Sequence, residues 1–279
     1  MRHEESSFVG ADGVTIYRQA WRPDGEPAGA VVLVHGVGEH SGVYGNIVRP
    51  MVEAGFAVFA HDHRGHGRSG GPRVHVDSWS QYRDDLGANV AIARESTGEV
   101  PLTIYGHSMG SIVVLEYLLG GSSDFDSVII SGVATEPIGV AKPYLIALAK
   151  ALTRIAPRVS ADLHISNESL TRDPAVIEAY RNDPLRHGRA TVRWGTEMPD
   201  AVDRVKAGFT SIDLPALVVH GEADPLNSEQ GARHLHEGLP TSEKRLCVYP
   251  GVLHEPHADL EHERLAADVV EWLVTRARR

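Results

Sequence analysis

Six short apolar runs punctuate the chain, each ending in a turn. Ala30–Val34 ends at His35-Gly36, Phe56–Ala60 at His61-Asp62, and Leu102–Tyr105 at Gly106. Val128–Ile130 ends at Ser131-Gly132, Ala216–Val219 at His220-Gly221, and Leu246–Tyr249 at Pro250-Gly251. The runs are continuously apolar rather than alternating, which is the pattern of strands covered on both faces. The stretches between them carry helical spacing. Trp79, Tyr82, Leu86, Val90 and Ala93 share one helical face, and Leu265, Val269 and Leu273 recur at four-residue steps near the end. Strand and helix therefore alternate, which predicts an α/β chain with a mostly parallel central sheet and helices on both faces. Val14–Trp21 reads as an antiparallel edge strand.

One segment breaks the alternation. Between Glu136 and Lys206 there is no strand-like run, and prolines fall at 137, 143, 157, 174, 184 and 199. Because it lies between two core strands, it predicts an inserted helical cap over 136–206, with 1–135 and 207–279 forming the core. Within it, Tyr144, Leu145, Ile146, Leu148, Leu152 and Ile155 give a helix with a broad apolar surface, edged by Lys142, Lys150 and Arg154. That helix either lines a pocket, with Leu145 and Ile146 against the ligand, or touches a membrane, or packs on the cap itself.

Charge and composition narrow the function classes. The formal net charge is −10 over 279 residues. Such a surface lacks the basic footprint that nucleic acid requires. It disfavours electrostatic docking on anionic lipid, though weak apolar contact through the cap remains open. Cys247 is the single cysteine, so no disulfide forms within the chain, and its apolar neighbours predict a buried, inert thiol. Met1–Gly10 has no apolar stretch of signal-peptide type, and the longest apolar run, Ile112–Leu119, is interrupted by Glu116. A cytoplasmic protein, at most peripheral to a membrane, is expected.

The chemistry starts at the strand ends, where open α/β sheets bind ligands. Gly-x-Ser-x-Gly occurs twice, at Gly67–Gly71 and at Gly106–Gly110. Ser69 follows a polar string and precedes Pro72, so it reads as a loop serine. Ser108 follows an apolar run and precedes the apolar Ile112–Leu115. Strand, tight turn and helix are what a nucleophilic serine of this motif requires. A serine needs a base, and the base an orienting carboxylate. Beyond Val219 stand Glu222 and Asp224, of which Asp224 is preferred. Beyond Tyr249 stand His254 and His257, of which His254 is preferred. The N–H groups of Met109 and Val37 are the expected donors to a developing oxyanion. His61, His63 and His66 are close in sequence, but proximity alone does not make a metal site, and a supporting loop is expected there. No metal and no cofactor are implied.

Together these strings resemble the monoacylglycerol lipases of the α/β-hydrolase superfamily. The matching segments are His35-Gly36-Val37-Gly38-Glu39-His40-Ser41, Asp62–Gly71, Gly106–Gly110, His220–Asp224, His254-Glu255 and a cap string, Arg172–Leu185. The resemblance implies the α/β-hydrolase fold, Ser108, Asp224 and His254 as the triad, and Val37 and Met109 as the oxyanion hole. It places Glu39 near the glycerol end of the substrate. Two positions depart from the family pattern: Val43 stands where an arginine often precedes the tyrosine, and Ser111 where a glycine usually follows Gly110. The implied activity is hydrolysis of a monoacylglycerol through an acyl-enzyme. The alternatives are a broader carboxylesterase on short-chain, aryl or phthalate-type esters, and a non-catalytic binding module on the same fold.

Overall fold

The computed structural model describes residues 1–10, 12–121, 124–138 and 143–278. Its eight-stranded sheet has the order β1-β2-β4-β3-β5-β6-β9-β10. The strands are β1 (Arg2–Val9), β2 (Thr15–Arg22), β3 (Gly29–Val34), β4 (Phe56–His61), β5 (Leu102–His107), β6 (Ser127–Ser131), β9 (Ala216–Gly221) and β10 (Lys244–Tyr249). β3, β4, β5, β6, β9 and β10 are mutually parallel and contain the six apolar runs.

Each run is apolar throughout because alternate residues enter different cores. Val32, Val34 and Ile104 pack with residues of α2 (Ser80–Thr97) and α3 (Met109–Leu119). Val31, Leu33 and Tyr105 pack on the opposite face with residues of α1 (Gly45–Glu53) and α8 (His262–Ala277). Near their carboxyl ends Val34 pairs with Gly106, His107 with Ser131, and Ser131 with Val219. The turns after these strands consequently share one rim of the sheet.

β2 is antiparallel as expected, but it is not the edge. β1 pairs along its outer side from Arg2↔Arg22 to Val9↔Thr15. Its sequence, RHEESSFV, is almost entirely exposed and shows no apolar face. At the other edge, Cys247 is half-buried rather than fully buried, because β10 has a neighbour on one side only.

Between β6 and β9 lie α4 (Pro143–Leu152), α5 (Pro174–Asn182) and α6 (Val192–Gly208). They are accompanied by a two-stranded antiparallel ribbon, β7 (Ser160–Asp162) with β8 (Arg189–Thr191). The insertion is mainly helical, and this ribbon adds to it two three-residue strands that are too short to leave a hydrophobic signature. α4 packs against α6, and α6 against α3. Tyr144 is 63% exposed and Leu152 38%. The side chains of Leu145 and Ile146 lie outside the described residues. Among the described residues, no helix is long and apolar enough to cross a membrane.

Candidate active site

β5 ends at His107 and α3 begins at Met109, leaving Ser108 to make the turn at φ 52°, ψ −122°. A positive φ at a non-glycine residue is a strained conformation that its surroundings must enforce. Close packing supplies the enforcement: a Cβ on Gly110 would stand 2.3 Å from the Val34 carbonyl oxygen. Only glycine lets α3 approach β3 this closely. Ser111, the departure from the family's glycine, braces the same turn. Its hydroxyl donates to the Ser108 carbonyl at 2.5 Å and accepts from the Ala134 N–H at 3.2 Å.

His254 Nε2 lies 2.9 Å from Ser108 Oγ, and His254 Nδ1 lies 2.7 Å from Asp224 Oδ2. An ionised Asp224 selects the tautomer with its proton on Nδ1, so Nε2 presents a lone pair to the serine hydroxyl. The other carboxylate oxygen of Asp224 accepts from the N–H groups of Leu226, at 2.8 Å, and Asn227, at 3.1 Å. Burial pushes Asp224 upward, but His254 and these donors hold it below the usual carboxylate range. Burial likewise depresses His254, but the charge and hydrogen bond of Asp224, together with the charges of Glu255 and Glu39, leave it raised above 6.5. Glu222 instead accepts from Gly251 N–H at 3.0 Å, out on the surface. His257 stacks on Tyr44 with ring centres 4.2 Å apart.

Val37 and Met109 line the same cavity as Ser108. The Val37 N–H has no acceptor among the described residues. The Met109 N–H, at the first position of α3, is one that a helix leaves unpaired. A Cβ on Gly36 would meet Ser108 Cβ at 3.0 Å and Glu39 Oε1 at 2.6 Å, so this loop lies directly against the serine.

The string Asp62–Gly71 holds that loop from beneath. His63 N–H donates to His35 Nε2 at 2.9 Å, and the His63 ring meets the His35 carbonyl at 3.0 Å. Asp62 accepts from Ser41 N–H at 2.9 Å and its hydroxyl at 2.6 Å, and from Arg68 N–H at 2.9 Å. Ser69 donates to the Asp62 carbonyl at 2.6 Å and accepts from Tyr17 N–H at 2.9 Å. Burial keeps His35, His63 and His66 neutral, depressed well below 6.5.

Glu39 is buried in the cavity wall, where it accepts from Tyr44 OH at 2.7 Å and from the Gly36 N–H. It has company that sequence reasoning missed. Arg186 and Tyr180 arrive from the insertion, and both bond to Glu255, at 3.0 Å and 2.6 Å. Burial and Glu255 push Glu39 upward, whereas at Glu255 burial is outweighed by Arg186 acting together with His257, the Tyr180 hydroxyl and His254, which hold it down. Glu255 is in the quoted His254-Glu255 string, but the cap string stops at Leu185, one residue before Arg186. Glu39, Glu255 and His257 have the spacing of metal ligands, but the Arg186 guanidinium within bonding reach of Glu255 fits that group poorly to a cation.

The cavity has a volume of about 1100 Å³. Leu163, Met198 and Val202 contribute apolar wall from the insertion, while Glu39, Arg186 and Glu255 form a polar end near Ser108. Asp162, His164, Arg181, Asp203 and Lys206 of the insertion also reach the lining, so such a space takes a ligand with both apolar and polar parts.

Comparison with known proteins agrees with this geometry. Residues 25–261 match a family described as serine aminopeptidase, S33. A monoacylglycerol lipase of Mycolicibacterium smegmatis is 36% identical over 97% of this chain and 97% of its own. A monoglyceride lipase of Rattus norvegicus is 32% identical over 91% of this chain and 84% of its own. Among solved structures, the monoacylglycerol lipase of Paleococcus ferrophilus superposes with a TM-score of 0.83 at 31% identity, covering 99% of this chain and 100% of that one.

Proposed function

This chain belongs to the monoacylglycerol lipase family of α/β-hydrolases and is a carboxylic ester hydrolase, and on that premise we propose that its substrate is a monoacylglycerol, cleaved to fatty acid and glycerol. The observation that carries the substrate is the cavity, whose wall joins Leu163, Met198 and Val202 of the insertion to Glu39 and Glu255 beside the Ser108–His254 pair.

In the proposed mechanism, His254 takes the Ser108 proton as Oγ attacks the acyl carbon. The oxyanion is held by the N–H groups of Val37 and Met109. Collapse expels the glycerol oxygen, which receives the proton from His254, and an ester joins the acyl group to Ser108. Water, deprotonated by His254, then attacks this ester and releases the fatty acid. Asp224 holds the imidazole in its tautomer and stabilises the cation between the two proton transfers.

The segment 136–206 is proposed to act as the lid of the cavity, with its outer surface toward the lipid phase. Ile155 is 85% exposed and Val159 57%, with Tyr144 on the same insertion. Side chains of this kind favour an apolar surface over water.

The test is turnover of monoolein beside nitrophenyl esters of increasing acyl length. Efficient monoolein hydrolysis and a rise in kcat/KM with acyl length are expected. A marked preference for short acyl groups with no turnover of monoolein would replace this reading with the broader carboxylesterase.

A further inference from the structure

Arg186 reaches the reaction centre from the segment between α5 and β8. Its guanidinium carbon lies 3.6 Å from the centre of the Tyr180 ring, and Nη2 donates to Glu255 Oε1 at 3.0 Å. The second terminal nitrogen, Nη1, has no hydrogen-bond partner among the described residues. Neither has Glu39 Oε2, which stands 3.7 Å from it. Only 9% of the Arg186 side chain is exposed and 2% of Glu39, and both residues line the cavity that holds Ser108 and His254.

The two atoms face each other as an ion pair but are too far apart to hydrogen-bond, so a buried donor and a buried acceptor both keep bonding capacity that a ligand can complete. The pair also selects the ligand's chemistry. A carboxylate or phosphate is repelled by Glu39 and Glu255, and an ammonium has no lone pair to accept from Nη1. An alkyl group would leave both atoms unpaired. A hydroxyl oxygen accepts and donates at one atom, and at 3.7 Å separation it can bond to both. It approaches from the cavity and bridges the two atoms, while Nη2 of the same rigid guanidinium keeps Glu255.

We propose that Arg186 is a specificity-determining residue of this hydrolase, which with Glu39 clamps a hydroxyl on the alcohol half of the ester. The proposal rests on the ester-hydrolase reading above and deepens it. Glu39 belongs to the core and Arg186 to the insertion, so the clamp exists only while the insertion is seated on the core. The polar part of the substrate then helps to hold that arrangement.

The test compares kcat/KM for two substrate pairs of one acyl chain: monolauroylglycerol against methyl laurate, and 2-hydroxyethyl laurate against ethyl laurate. Wild type is expected to favour the hydroxyl-bearing member of each pair, since a site built around a hydroxyl disfavours the analogue without it. Arg186→Met should reduce that preference about tenfold, chiefly through KM for the hydroxyl ester. Arg186→Lys retains a cation for Glu255 but has one nitrogen in place of the two-armed fork. It should keep thermal stability while losing the preference, read as the ratio of kcat/KM within each pair, to a similar degree. A parallel fall on both members of a pair, or an unchanged preference in either variant, would overturn the proposal. So would a wild type indifferent to the hydroxyl of 2-hydroxyethyl laurate, a result that needs no variant. If wild type favours 2-hydroxyethyl laurate but not monolauroylglycerol, the clamp stands and the monoacylglycerol reading fails.

Discussion

His254 Nε2 and Ser108 Oγ lie 2.9 Å apart although 146 positions separate them in sequence. Their meeting depends on two turns at one rim of the sheet, after β5 and after β10. A nucleophile held this way should be the only serine that reacts. Fluorophosphonate should label the protein once, and Ser108→Ala should abolish both labelling and ester turnover above the residual given by binding alone. Ser69→Ala should still label and still turn over ester. Its hydroxyl satisfies Tyr17 N–H and the Asp62 carbonyl, so the loss should appear as about 1–3 kcal/mol of stability in urea unfolding.

The pH profile tests the Asp224–His254 contact. His254 acts as a base only when neutral, and Asp224, with Glu255 and Glu39, holds its pKa above 6.5. The kcat/KM for a non-ionising ester should therefore fall as pH drops through a value above 6.5. In Asp224→Asn the largest of the charges that raise the imidazole is gone while burial remains, so the acid limb should move to lower pH and the plateau should drop. An unmoved limb would mean that another group titrates there.

Ester turnover should be sensitive to a single methyl group behind the nucleophile. In Gly110→Ala the added carbon meets the Val34 carbonyl at 2.3 Å, and backbone on both sides leaves nothing soft to yield. The elbow must shift relative to β3, and with it Ser108 relative to the Val37 amide. A displacement of about 1 Å can cost roughly 100-fold in rate. Stopped assays at low temperature, with circular dichroism to confirm folding, would separate this from simple unfolding.

Arg64 offers a stability test away from the reacting atoms. Its side chain is buried with Asp85, which it grips through two bonds of 2.7 and 2.9 Å, and it also bonds Asp12. Arg64→Met leaves a carboxylate buried alone and should destabilise by about 3–5 kcal/mol. The double variant Arg64→Met, Asp85→Leu should recover much of that, because the penalty comes from the unpaired charge more than from the lost attraction.

The parts of this molecule that were legible in its sequence are those where one local pattern decides the outcome. Val31 to Val34 are apolar on both faces because both faces are covered, and Ser108 is distinguished from Ser69 by the strand before it and the helix after it. β1 was hidden because an exposed outer strand has no face to bury, and its charges suit an edge that must not recruit another strand. The β7–β8 ribbon is held by only three residue pairs. Arg186 escaped for a different reason. An arginine among the insertion's many polar residues carries no signal until the fold brings it against Glu255 and Glu39, from opposite ends of the chain.

The insertion departs from β6 and returns at β9, and those two strands are neighbours in the sheet. α6 carries the chain back along the sheet from the carboxyl end of β6 to the amino end of β9, and the pairing of those two strands does not record how much chain precedes that crossover. Residues can be gained or lost there while Ile130 stays opposite Val218 and the bond-breaking groups keep their places. Substrate choice and chemistry can then change on separate evolutionary schedules, as with interchangeable heads on one tool.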